Sequence, residues 1–133
     1  MNGPTILVVD DDGVAQRLLQ SELTASGYAV LVANDPGEGV AMARANNPDL
    51  YILSTTFQPT PSCNWDGYTL TEWLHHIHLG DSRPILFVTG DDLVNHMDHA
   101  AQVGASAVLQ KPLDPEQVLA TVAECLAPLP AAA

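Results

Sequence analysis

At 133 residues the chain has the length of one domain with a single buried core, and 47% hydrophobic against 15% charged residues excludes a disordered chain. Sixteen acidic residues against four Lys plus Arg leave a net charge of −12 at pH 7. Such a surface repels phosphate backbones, which argues against direct nucleic-acid binding and favours basic protein surfaces as partners. No apolar run approaches the ~20 residues of a membrane helix, and the first residues lack a basic-then-apolar pattern. Cys63 and Cys125 make no ligand or redox spacing, so a reduced, cytoplasmic protein is expected, with Cys125 as a small core residue.

Five short apolar runs alternate with amphipathic segments. Residues 5–10 (TILVVD) read as the first strand, and Ala15, Leu18, Leu19 and Leu23 follow at helical spacing. Residues 28–33 and 49–54 are the next two strands, and residues 84–89 and 106–110 the last two. Between and after them, three further stripes recur at helical spacing: Leu70, Trp73, Leu74 and Ile77; Val94, Met97 and Ala101; and Val118, Val122, Cys125 and Leu126. This alternation implies an α/β fold in three layers, a parallel sheet covered by helices on both faces. The cores of the first, third and fourth strands are continuously apolar, as strands buried on both faces require, whereas the second and fifth are mixed and suit the edges. That matches the flavodoxin-like order 2-1-3-4-5, in which ligands bind beyond the carboxyl ends of strands one and three. Residues 55–67 (TTFQPTPSCNWDG) read as a long loop, and residues 128–133 (PLPAAA) as a tail or the start of a linker after a domain spanning 1–127.

The strand ends bring Asp10, Asp11 and Asp12, Ser54, Thr89 and Lys111-Pro112 to one rim. A carboxylate there can cap the following helix, but that needs one aspartate and not three. Adjacent carboxylates repel, by about 4 kcal/mol at ~4 Å and an effective dielectric near 20, and so invite a cation. Hard oxygen ligands of this kind suit Mg²⁺. Lys111, the chain's sole lysine, follows an apolar strand and precedes a proline, which favours a counter-charge to the aspartates or a ligand for phosphate. Thr89 reads either as an ordinary β-branched strand residue or as a hydroxyl donor to a phosphate. His75, His76 and His78 interrupt a helical stripe and should face solvent, and His96 and His99 lack a third metal ligand.

Taken in order, ILVVDDD, PDLYILS, the distant Asp66-Gly67, PILFVTG and GASAVLQKP resemble the successive signatures of response regulator receiver domains, of the chemotaxis-regulator-like type found in two-component systems. The resemblance runs from about Thr5 to Leu126. It implies Asp10 and Asp11 as an acidic pair for Mg²⁺, Thr89 and Lys111 as phosphoryl ligands, Thr89 as one switch position, and a cis peptide before Pro112. A histidine kinase, a phosphotransfer protein or an output domain would be the partner, met through the fourth helix, fifth strand and fifth helix, or through the first helix.

The sequence departs from that pattern at Ser54, which stands where such proteins carry the phospho-accepting aspartate. A serine without an adjacent base is a weak nucleophile, and its phosphate would be a monoester rather than a labile acyl phosphate. One metal ligand is lost with the carboxylate, so Mg²⁺ would bind weakly or not at all. Val108 stands at the switch position that usually holds Tyr or Phe, and the 55–67 loop is longer than the pattern, with Phe57 and Trp65 as candidate lids. The expectation is an atypical, phosphorylation-independent pseudo-receiver and not an enzyme. Two alternatives are a receiver phosphorylated at Asp66 or a strand-one aspartate, and a haloacid-dehalogenase-like phosphatase using Asp10. The second needs a further acidic pair after the lysine, where only Asp114, Glu116 and Glu124 remain.

Overall fold

The computed structural model describes residues 4–55, 57, 66–77, 83–90 and 105–126. Five parallel strands, β1 (Thr5–Val9), β2 (Ala29–Ala33), β3 (Leu50–Ser54), β4 (Ile85–Thr89) and β5 (Ala107–Gln110), form one sheet in the order β2-β1-β3-β4-β5. Four helices are described: α1 (Gly13–Ala25), α2 (Pro36–Asn46), α3 (Gly67–Ile77) and α4 (Pro115–Leu126). The expected order and edge strands are present, and each strand departs from its expected bounds by one residue at one end. The stripe Val94, Met97 and Ala101 lies outside the described residues.

Alternation along each strand divides the core in two, because successive side chains leave opposite faces of a sheet. Leu7 and Val9, Tyr51 and Leu53, and Ile85 and Phe87 pack with Ala43 of α2 and Leu70 and Leu74 of α3. Ile6 and Val8, Leu50 and Ile52, and Leu86 and Val88 pack with Leu19 and Leu23 of α1 and Val118 and Val122 of α4. Strands buried on both faces must be apolar throughout, which is why β1, β3 and β4 read as unbroken runs. Cys125, expected as a small core residue, packs at the edge of the second cluster and is only partly buried.

α3 corrects one detail of the stripe read from sequence. Leu70 and Leu74 are buried, together with Thr71, but Trp73 is 43% exposed. The buried face is set by Gly67, Leu70, Thr71 and Leu74, and Trp73 lies roughly 120° around the helix from its centre. Trp73 instead stacks loosely on His76, with ring centroids 6.2 Å apart. His75 and His76 are exposed, as their positions suggested. His78, His96 and His99 lie outside the described residues.

The start of α3 presses on the end of β3. A Cβ added at Gly67 would lie 2.1 Å from the Ser54 carbonyl oxygen and 3.1 Å from the Thr55 Cα, both backbone atoms that cannot step aside. Gly67 N–H also donates to the Thr55 carbonyl at 3.0 Å, and Asp66 caps the helix by accepting from Thr69 N–H at 2.8 Å. Tyr68 completes the anchor with its ring 5.0 Å from that of Phe87. The Gly67→Ala variant should therefore lose about 1–3 kcal/mol of stability through overpacking. Equilibrium urea unfolding would measure this loss; a variant as stable as the parent would show that the junction gives way.

Candidate functional site

Parallel strands end at one rim of the sheet, so the residues that follow β1, β3, β4 and β5 share it. Asp10 follows β1 and is fully buried, and Ser54 and Thr89 end β3 and β4 with 3% and 1% exposure. Lys111 follows β5, its N–H donating to the Thr89 carbonyl at 2.7 Å, and the Lys111–Pro112 peptide is cis, as the resemblance implied.

The Lys111 ammonium lies 2.9 Å from Asp10 Oδ2 and 3.3 Å from Asp12 Oδ2. The counter-charge reading of the sole lysine thus describes its geometry. The three aspartates divide their work. Asp12 is the N-cap of α1, its Oδ1 accepting from Val14 N–H at 3.0 Å. Asp10 accepts from the Asp12 N–H through Oδ1 at 2.9 Å, and Asp11 is exposed. Gln16, which no sequence pattern singled out, ties the loop down by donating through Nε2 to the Asp10 carbonyl and to Asn34 Oδ1. Its one legible cue is the position four residues past the N-cap, on the first turn of the helix that faces the rim.

Other expected participants lie elsewhere or act locally. Val108 pairs with Phe87 in the β4–β5 register and packs against the α2–α3 side of the core. Phe57 packs against that same cluster, and Trp65 and Cys63 lie outside the described residues. Asp66 is occupied as the cap of α3. Asp114 caps the start of α4 through Glu116 N–H at 3.1 Å, and Glu116 and Glu124 are exposed on that helix. Next to Ser54, Thr55 is buried, and among the described residues its hydroxyl has no hydrogen-bond partner.

Burial and Lys111 compete over Asp10. Desolvation is the larger effect and holds its carboxyl above the ordinary value of 3.8, although the Lys111 hydrogen bond, the Asp12 N–H and the Lys111 charge all pull it down. At Asp12 desolvation is the largest single influence, but the Lys111 hydrogen bond and charge and the backbone N–H groups together outweigh it, and the carboxyl falls below its usual value.

The oxygens of Asp10 and Asp11 are of the hard type that suits Mg²⁺, but both oxygens of Asp10 are already engaged and β3 supplies a neutral hydroxyl where a third carboxylate would stand. Among the described residues no three His, Cys, Asp or Glu side chains converge as metal ligands. The donor set therefore meets a divalent cation only in part.

A raised pKa in the folded chain means that folding favours the protonated Asp10. The stability tied to this group is present below 3.8 and is lost as pH rises through its folded value. The Asp10→Asn variant should accordingly be more stable than the parent at pH 7, with the gap closing as pH falls towards 4. Thermal unfolding across pH 4–8 would show this, and a variant less stable at pH 7 would mean that the Lys111 pair outweighs burial.

Residues 6–123 match the family model of the response regulator receiver domain. The chain is 32% identical to the protein PilH of Pseudomonas aeruginosa over 92% of its own length and 97% of PilH. It is 32% identical to the response regulator MprA of Mycobacterium leprae over 88% of the chain, and spans 48% of that longer regulator. The chemotaxis protein CheY4 of Vibrio cholerae superposes with a TM-score of 0.82 at 26% identity, over 92% of this chain and 98% of that one. Among the described residues no helix is long and apolar enough to cross a membrane. The family match over most of the chain and the shared fold agree, and this chain is a response regulator receiver domain of two-component signal transduction.

Proposed function

We propose that this receiver works without aspartyl phosphate, as a cytoplasmic protein-interaction module rather than a catalyst. The observation that carries the reading is Ser54 at the carboxyl end of β3. Its register with Val88 and the contact of Gly67 on its carbonyl fix it there, so no neighbouring carboxylate takes over by a shift of the strand. Three of the alternative acceptors are engaged: Asp66 caps α3, Asp10 is buried against Lys111, and Asp12 caps α1 and faces the same lysine. The phosphatase reading loses its acidic pair to the cap and outer face of α4. Mg²⁺ at Asp10 and Asp11 is weak or vestigial in this account, and Val108 replaces the aromatic switch that would report a phosphoryl group.

The partner would be a histidine kinase, a phosphotransfer protein or an output domain, and the α1 side of the rim supports docking. Val14 is 75% exposed beside a cavity of about 390 Å³ whose walls include Leu18, Pro112 and Leu113. An exposed apolar residue at the mouth of an apolar hollow, next to Asp12, suits a partner that brings an apolar side chain and a basic one.

Intact-protein mass after incubation with acetyl phosphate and Mg²⁺ tests the reading. The parent should gain no mass, whereas Ser54→Asp should gain one hydroxylamine-labile phosphoryl group. A labile gain by the parent would overturn the proposal.

A further inference from the structure

Asp10 and Asp12 together present four carboxylate oxygens, two of which accept from backbone N–H groups while two face Lys111. Asp10 Oδ1 takes the Asp12 N–H and Oδ2 faces the Lys111 ammonium, with no other hydrogen-bond donor at Oδ2 among the described residues. Asp12 Oδ1 takes the Val14 N–H and Oδ2 faces the same ammonium. The backbone of Asp12 is thus tied to one end of the lysine's ion pair while its side chain holds the other. Three of these contacts close a ring: Lys111 to Asp10, Asp10 to the Asp12 N–H, and the Asp12 carboxylate back to Lys111.

We infer that Asp12 is a positioning residue that holds the Lys111 ammonium against the buried Asp10 carboxylate. The cap matters because it leaves the Asp12 carboxylate little freedom: with Oδ1 bound to the first turn of α1, Oδ2 is already placed for the lysine. Asp10 alone offers the ammonium a single oxygen, and the second carboxylate makes the contact two-sided. Asp12 therefore serves at once as the N-cap of α1 and as the outer wall of the lysine's site. A divalent cation or an anion arriving at the rim meets a lysine already committed to the β1–α1 loop. The ring would hold the lysine whether or not any residue accepts a phosphoryl group, so it goes beyond the function proposed above.

The sole lysine makes the test direct. Amine acylation with sulfosuccinimidyl acetate modifies Lys111 and the terminal amine only, and mass spectrometry of the Lys111 peptide gives its rate. Lys111 keeps 18% of its side-chain surface exposed, so the reagent reaches it once the ring opens. Asp12→Ser and Asp12→Asn both keep a capping side chain and remove the charge. Each should acylate about two- to five-fold faster than the parent, the range expected for losing a partly exposed ion pair. Asp35→Ser is the control, because Asp35 caps α2 in the same way, accepting from Glu38 N–H at 2.8 Å, and its loss changes the net charge equally. It should react at the parent's rate. Parental rates in both Asp12 variants would overturn the inference, as would an equal acceleration in Asp35→Ser.

Discussion

A carboxylate with no exposed surface has to find a cation or give up its own charge, and Asp10 is in that position at the end of β1. Lys111 meets it from the end of β5, with two strands between them in the sheet, and the pair joins the first and last thirds of the chain at the rim. Removing the lysine alone would leave a buried charge uncompensated, a loss of about 3–5 kcal/mol for pairs of this kind. Burial nevertheless remains the larger influence on Asp10, so the site holds its charge at some expense to the fold. A pair that costs stability and sits at the crevice of a doubly wound sheet is the mark of a functional rim rather than of a structural brace.

Around that pair the rest of the rim is fixed by backbone contacts. Thr89 receives the Lys111 N–H, Gly67 closes on Ser54 and Thr55, and Gln16 holds the β1–α1 loop to the end of β2. Among the described residues the rim keeps the frame of a receiver, and in the function proposed here a hydroxyl stands at its centre in place of a carboxylate. A frame kept without its acceptor suits a domain whose surface, more than its chemistry, is used. The net charge of −12 and the apolar hollow beside Val14 both point to recognition of a partner protein.

Much of this was legible in the residues. Unbroken apolar runs identify β1, β3 and β4 as central because burial on both faces leaves no polar position, and the mixed β2 and β5 follow as edges. The rim residues were readable because strand ends in this topology converge. α2 was harder to read: its buried residues are Pro36, Gly39 and Ala43, too small to form a visible stripe, since Gly39 packs so near β1 that a Cβ would meet Val9 at 3.0 Å. The stripe of helical spacing includes Trp73, three residues past Leu70, whereas the buried face turns the other way around the helix, towards Gly67 and Thr71. The division of labour among Asp10, Asp11 and Asp12 was also hidden, since three adjacent carboxylates look alike until the start of α1 makes one of them a cap.

The central claim is that this rim keeps a receiver's frame without its phosphoryl response. Amide ¹H–¹⁵N correlation spectra, recorded with and without Mg²⁺ and beryllium fluoride as an acyl-phosphate mimic, test it most directly. The account predicts that the signals of Asp10–Gly13, Thr89 and Lys111 stay in place when the mimic is added. Saturable shifts at those residues, spreading along β4 and β5, would contradict it and show that the rim still binds and transmits a phosphoryl signal.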